Sequence, residues 1–279
     1  MKLLREEKYN MPNWVQNEIT LYGEEKDIRK VLELVKSEES EFDFDKIIPM
    51  PKTLSLPAGG YDCRSIQYAL SKKPQAKAAE IKIALINVKC DFYGNYFKKI
   101  YGHIFTTEEL EKCAKEFVEE RIKVNTNSFD NTNYNDLGIK TLEDLGNMYI
   151  HNILTYGCDT WYDWCYEHWG TKWNASEVHV GNDVISFQTA WSVPDPILEA
   201  FAYICDEHNV TFEGEYADED TGCNTGHISS EYGITEYKNN SHKALKAYVN
   251  LWGESECIGE DKNGNLIHYD CDTCPNKCY

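Results

Sequence analysis

The chain is organised around the stretch CYEHWGTKWNA at residues 165–175, which is followed closely by FQTAWSVP at residues 187–194. Three tryptophans, one lysine and one asparagine lie where the sequence predicts the end of a helix and the strands after it. They are Trp169, Lys172, Trp173, Asn174 and Trp191. Because tryptophan serves both as a packing residue and as a binding residue, this cluster bears on the fold and on the function.

Upstream of this cluster, the hydrophobic periodicity predicts a strand, a helix and a second strand. Residues 14–21 alternate like a half-buried strand, and the apolar residues between 25 and 36 recur at helical spacing. The run FDFDKII at residues 42–48 predicts the second strand, which Pro49 and Pro51 would end.

Downstream, the patterns predict a hairpin within 177–189, a helix over 196–207, a strand over 210–216 and a further hairpin within 227–237. A last helix precedes the tail. This order predicts an α+β, ferredoxin-like architecture in which helices 25–36 and 196–207 lie on one face of an antiparallel sheet. The strands of that sheet would be 14–21, 42–48, 177–189 and 210–216.

The block at about 55–160 differs from the rest because it shows helical patterns and no convincing strand. Thr141 is placed to cap one of its helices. No linker-like composition separates the block, so we predict a large helical insertion in the core. The predicted organisation is a polar leader at 1–11, a core at 12–240 that carries this insertion, and a C-terminal helix with a cysteine-rich tail at 241–279.

Four separated motifs occur in an order that resembles a known family. They are Pro12-Asn13-Trp14 with Asn17, residues 42–51, residues 169–175 and residues 187–194. In these motifs the chain resembles the YubB-type ferredoxin-like domain family of phage and plasmid proteins, over about residues 12–51 and 160–236. The resemblance implies a ferredoxin-like fold and a phage or plasmid setting. It implies no established activity, so no catalytic role is carried over.

The composition is that of a globular and strongly acidic protein. Of 279 residues, 42% are hydrophobic and 13% aromatic, and the formal net charge is −19. That charge argues against general nucleic-acid binding, which needs a basic face. The start of the chain has no apolar run typical of a signal peptide, and no stretch reaches the ~18 to 20 apolar residues of a membrane span. We therefore expect a cytoplasmic protein, in the host cell if the phage setting holds.

The tryptophan cluster has two interpretations. Trp169, Trp173 and Trp191 could frame an aromatic binding pocket in which Lys172 supplies charge and Asn174 supplies hydrogen bonds. Alternatively, the indoles pack the insertion onto the sheet and Asn174 caps a turn. If the core has a functional surface, we expect it here.

The familiar catalytic and phosphate-binding motifs are absent from the sequence. It contains no HExxH, no GxSxG, no P-loop and no GxGxxG after a strand. The acidic run Asp218-Glu219-Asp220 lacks the ligand spacing of an EF-hand and is interpreted as a solvated turn. These observations weaken the enzyme interpretation without excluding it.

Two functional hypotheses remain. The first is a non-catalytic accessory protein of a phage or mobile element that binds a protein with a basic surface, such as a host defence or nucleic-acid-handling complex that it would inhibit. The second is a small-ligand or nucleotide-binding protein, or an enzyme, that uses the cluster of Trp169, Lys172, Trp173 and Trp191. The oligomeric state is left open.

The tail carries a possible metal site. Cys271 and Cys274 form a CxxC, and Cys257 and Cys278 flank it, with His268 as a substitute ligand. Four such thiolates could hold a structural zinc. Reduced, unliganded cysteines, or a disulfide or redox pair, are the alternatives. The turn-forming loop at 261–265 would fold the intervening chain into a hairpin and bring Cys257 toward the others.

If these four cysteines bind zinc, elemental analysis of protein purified without added metal should find about one equivalent of zinc. Chelation should then disorder the tail, because the metal substitutes for a core that so short a segment lacks. Less than about a tenth of an equivalent, with four titratable thiols in the tail, would refute a tight structural site.

Overall fold

A computed structural model describes residues 13–58, 65, 66, 69 and 136–269. The chain folds as two compact units, one formed by residues 1–49 and 165–279 and the other by residues 50–164. No helix in the described part of the chain is long and apolar enough to span a membrane.

The described elements follow one another in this order: β1 (Trp14–Tyr22), α1 (Glu25–Val35), α2 (Phe44–Ile47), a 3-10 turn (Lys52–Leu54), α3 (Leu142–Tyr156), α4 (Trp161–His168), β2 (Ser176–Val180), β3 (Val184–Ala190), α5 (Asp195–Asp206), β4 (Thr211–Asp218), β5 (Thr225–Ser229), β6 (Gly233–Glu236), α6 (His242–Trp252), β7 (Ile258–Glu260) and β8 (Leu266–His268).

The main sheet has six strands in the order β2-β3-β1-β4-β5-β6, and every neighbouring pair is antiparallel. Strand β1 lies inside the sheet, between β3 and β4. The chain order β1-α1-β2-β3-α5-β4 with the spatial order β2-β3-β1-β4 is a ferredoxin-like arrangement. Strands β5 and β6 extend it at one side. The predicted antiparallel α+β fold is confirmed.

An aromatic cluster forms the core on one face of this sheet. The Phe42 ring lies 5.8 Å from Phe44, 5.0 Å from Phe187 and 5.2 Å from Phe201, measured between centroids. Phe201 of α5 in turn stacks on Phe212 of β4 at 5.2 Å. All five side chains are fully buried. Together they fasten the chain after α1, and helix α5, to the same face of strands β3 and β4.

The strand predicted at 42–48 is wrong, because this segment forms the short helix α2. The Asp43 carboxylate accepts a hydrogen bond from the Asp45 backbone N–H at 2.9 Å and so caps the helix. Local capping by aspartate competes with strand pairing. Both phenylalanines of the FDFD run are buried here, as they would be on one face of a strand. Alternation over so few residues therefore does not distinguish the two conformations.

Helix α6 covers part of the opposite face of the sheet. Tyr216 lies in the same row as Phe187 and faces the same side of the sheet, so its neighbours Glu215 and Ala217 point to the other side. The Asn250 side chain donates to the Glu215 carboxylate at 3.0 Å, and the Trp252 indole N–H donates to the Ala217 carbonyl at 2.9 Å. The predicted C-terminal helix is thus present and adds a third layer locally.

The described part of the second unit is built around α3. Thr141 caps this helix as predicted, in a reciprocal capping box with Asp144, and the Thr141 hydroxyl lowers the pKa of the Asp144 carboxyl. The Asn152 side chain donates to the carbonyls of Thr53 at 2.7 Å and Asp159 at 3.0 Å. Most of the predicted insertion lies outside the described residues, so the insertion and its freedom from strands stay predictions.

Replacing Phe42 with alanine should reduce the free energy of unfolding by about 3–5 kcal/mol, because it leaves a cavity among three aromatic rings. Urea denaturation measures the change. Tyr22→Ala, which removes an exposed ring at the end of β1, is the control and should change stability by less than about 0.5 kcal/mol. Similar losses in the two variants would show that Phe42 is not a core residue.

Candidate functional site

Three tryptophans meet at one end of the sheet. Trp14 opens β1 and pairs with Ala190, so Trp191 follows directly beside it. The ring centroids of Trp14 and Trp173 are 6.2 Å apart, and those of Trp173 and Trp191 are 5.6 Å apart. We call Trp14, Lys172, Trp173 and Trp191 the tryptophan surface. Trp14 was not among the predicted site residues, because its place beside the others follows only from strand pairing.

This surface is accessible to a partner. The exposed fraction is 36% for Trp173 and 37% for Trp191. The Lys172 ammonium lies 4.4 Å from the centroid of Trp173 and 5.2 Å from that of Trp191. A cation over the negative face of an indole is attracted by its quadrupole. The surface therefore presents indoles and a positive charge together.

The Trp191 backbone is held in an unusual conformation. Its φ of 64° lies in the left-handed region, which is strained for a bulky residue. Its N–H donates to the Asn13 carbonyl at 2.9 Å, and its carbonyl accepts from the Asn224 side chain at 3.2 Å. These two hydrogen bonds maintain the strained backbone that presents the indole. Backbone strain of this kind is concentrated at functional sites.

The buried Asp218 carboxylate holds together the chain segments beside Trp14 and Trp191. Asp218 is only 5% exposed, and its carboxylate accepts from the side chains of Asn13 at 3.2 Å and Asn224 at 3.0 Å and from the Asp220 N–H at 2.9 Å. These donors offset the cost of burying the charge. The interpretation of Asp218 as part of a solvated turn is therefore wrong, since it ends strand β4 and joins the segments that carry Trp14 and Trp191.

Trp169 is a packing residue. It is 5% exposed, its indole N–H donates to the Ile48 carbonyl at 2.9 Å, and its ring meets Phe44 edge-on at 5.9 Å. It lies in the core beside α2, whereas the tryptophan surface is open. The structure thus separates the predicted group of tryptophans into one buried residue and two accessible ones.

Asn174 is also engaged within the fold. Its side-chain oxygen accepts from the backbone N–H of Phe44 at 2.9 Å and of Ala175 at 2.8 Å, and its amide donates to the Asp43 carboxylate at 2.7 Å. This junction joins the loop after α4 to the cap of α2. These contacts fit the alternative in which Asn174 caps a turn. Asn174 supports the tryptophan surface indirectly, because it holds the loop that carries Lys172 and Trp173.

A row of polar side chains continues from Trp14 along the same face of the sheet. The Gln16 amide donates to the Ser186 hydroxyl at 2.8 Å, and the Gln188 amide donates to the Gln16 carbonyl oxygen at 3.1 Å. All three side chains are partly exposed. An apolar patch with an adjoining polar rim is the usual anatomy of a protein-binding surface.

The tail hairpin is present, but most of the predicted zinc ligands lie outside the described residues. Asp261 accepts the backbone N–H groups of Asn263 at 2.8 Å and Asn265 at 2.9 Å, which shapes the turn between β7 and β8. Cys257 precedes β7, and its carbonyl accepts from the Tyr269 N–H at 2.8 Å. Cys271, Cys274 and Cys278 are not described. Within the described ranges, no three His, Cys, Asp or Glu side chains are grouped to hold a metal. Zinc therefore stays a prediction.

The pKa values of Cys205, Tyr216 and Cys223 are all raised further above neutrality. Burial raises the pKa of the Cys205 thiol to about 12, and burial followed by the charge of Glu236 raises that of Tyr216 to about 12. Burial and the nearby Asp220 carboxylate also raise the pKa of the partly exposed Cys223 thiol. A general acid or base works best with a pKa near the operating pH, so these three groups are not tuned for that role.

Trp169→Ala should reduce the free energy of unfolding by about 3–5 kcal/mol, as expected for a buried aromatic ring. Trp173→Ala should cost about 1–2 kcal/mol less than Trp169→Ala, because more than a third of the Trp173 residue is already exposed in the folded protein. Urea denaturation followed by circular dichroism compares the two variants. Equal losses would mean that Trp173 belongs to the core and not to an accessible surface.

A match to one family model agrees with this fold. Residues 168–246 match the family model described as the ferredoxin-like domain in Api92-like protein. No curated protein matches the chain. A crystal structure of a protein api92 from Yersinia pseudotuberculosis is similar to it, with 10% sequence identity, coverage of 82% of this chain and 99% of that chain, and a TM-score of 0.34. The six-stranded antiparallel sheet and the family match show a ferredoxin-like α+β domain.

Proposed function

We propose that this protein is a non-catalytic accessory protein that binds another protein through the tryptophan surface. The observation that carries the proposal is the exposure of Trp173 and Trp191, together with the strained Trp191 backbone that two hydrogen bonds hold in place. Tryptophan is enriched among the few residues that supply most of the binding energy at interfaces. A rigid surface of this kind loses little conformational entropy on association.

The charge of the chain indicates the class of partner. A formal net charge of −19 favours association with a protein that has a basic surface, such as a host defence or nucleic-acid-handling complex. The four motifs that resemble phage and plasmid proteins support a phage or mobile-element origin. We therefore propose inhibition of such a complex as the specific role, in the cytoplasm of the host.

A nucleotide or other planar ligand is the alternative occupant of this surface, since Lys172 offers it a positive charge. A ring inserted between two indoles needs a gap of about 7 Å, twice the carbon contact distance of about 3.5 Å. The centroids of Trp173 and Trp191 are 5.6 Å apart, so a ligand could stack only on their outer faces. A protein partner can contact the indoles and the adjoining polar side chains together, so protein binding is the proposal we favour.

Affinity capture from lysate of the host cell, with the tagged chain as bait, should recover a partner that a Trp173→Ala/Trp191→Ala double variant loses. For a purified partner, removing hot-spot tryptophans should weaken binding by at least about 2 kcal/mol, or roughly 30-fold. Tyr22→Ala is the matched control, because it removes an exposed aromatic ring outside the surface.

Retention of the same partner at the same affinity by a folded double variant would contradict the proposal. Titration with a nucleotide mixture tests the alternative on the same proteins. Saturable quenching of tryptophan fluorescence that disappears in Trp173→Ala, with no captured partner, would favour a ligand-binding function instead.

A further inference from the structure

A second surface lies between helix α5 and the hairpin of β5 and β6. It is a cleft of about 500 Å³, well within the size range of binding sites. One wall is a single stripe of α5 that contains Asp195, Leu198, Glu199, Ala202, Tyr203 and Asp206. The spacing of these residues follows the helical repeat, so a single face of α5 lines the cleft. The tryptophan surface contributes none of the lining residues.

The cleft follows from the extension of the sheet. Strands β5 and β6 lie beyond the four strands of the ferredoxin-like arrangement. Ile228 and Ile234 pair across these two strands, in the same row as Gly214 and Ile19, and therefore face the side of the sheet that α5 covers. Together with Leu198 and Val210 they give the cleft an apolar floor. A floor of this kind favours aliphatic groups over a fully hydrated ion.

The rim of the cleft is acidic. Asp195, Glu199 and Asp206 on α5, with Glu231 in the hairpin, are exposed carboxylates. Among the described residues, no lysine or arginine lines the cleft, and the sequence has neither residue between Trp173 and Tyr237. Tyr203 on the same wall is 69% exposed and Tyr232 in the adjoining turn is 76% exposed. Their rings add faces on which cationic groups can lie.

We propose that this cleft binds a basic segment of a partner protein in which lysine or arginine alternates with aliphatic residues. In such an extended segment the aliphatic side chains pack on the apolar floor, and the long cationic side chains between them reach the acidic rim. Asp195 and Asp206 are eleven residues apart on α5, which corresponds to about 16 Å. That length accommodates about five residues of an extended segment. This binding site is additional to the tryptophan surface and does not depend on it.

Fluorescence anisotropy with a labelled peptide of sequence KLKLKLK tests the proposal on the full chain. We expect saturable binding that weakens as salt is raised, and at least about tenfold weaker binding to a Glu199→Lys/Asp206→Lys variant. Glu207→Lys makes the same type of charge change on an exposed residue just past the helix and outside the cleft, and should stay within about twofold of the wild type. The isoleucine methyl resonances of Ile228 and Ile234 should shift on peptide addition.

Two further peptides separate a cleft from general charge attraction. KSKSKSK has the same charge without aliphatic side chains and should bind at least about tenfold more weakly, whereas ELELELE should not bind. Equal binding of KLKLKLK and KSKSKSK, an unchanged affinity in Glu199→Lys/Asp206→Lys, or no binding of KLKLKLK would each overturn the proposal. Trp173→Ala should bind KLKLKLK normally, so a failure of the tryptophan surface and a failure of the cleft give different results.

Discussion

The packing of Phe42 against Phe44, Phe187 and Phe201 is the interaction on which the rest of the first unit depends. It brings together the chain after α1, strand β3 and helix α5, which are far apart in sequence. A ring that is fully buried among three others contributes through both apolar burial and ring geometry. Once these segments meet, the antiparallel pairing of β1 with β3 and β4 completes the sheet.

The polar contacts around this core determine which side chains remain available for binding. Asn174 is bound to Asp43 and Phe44, and Asp218 is bound to Asn13 and Asn224. The half-buried Asn174 side chain and the buried Asp218 carboxylate thus find hydrogen-bond partners within the fold. By holding the adjacent loops, they leave Trp173 and Trp191 accessible in a fixed arrangement. A surface that is ordered before it binds is suited to recognition.

The two proposed surfaces differ in chemistry and in origin. The tryptophan surface combines indoles with the cation of Lys172, whereas the cleft beside α5 combines an apolar floor with carboxylates. The first depends on the ends of the central strands, and the second on the two strands that extend the sheet. A partner with basic and apolar groups would complement the second surface, and the acidic balance of the whole chain would increase its rate of association.

Periodicity by itself determined the α+β class, strand β1, helices α1 and α5 and the hairpins, because alternation and helical spacing reflect which face each residue buries. It failed at 42–48, where Asp43 caps the short helix α2. Phe42 and Phe44 are buried in this conformation just as they would be in a strand. The sequence also indicated a tryptophan cluster in the loop after α4 and at the end of β3, where Trp173 and Trp191 lie. Only the tertiary structure decided that Trp169 is core, that Trp14 joins Trp173 and Trp191, and that Asp218 is buried. The physical reason is that exposure and partnership depend on long-range strand pairing, and no local pattern of residues specifies which distant segments will meet.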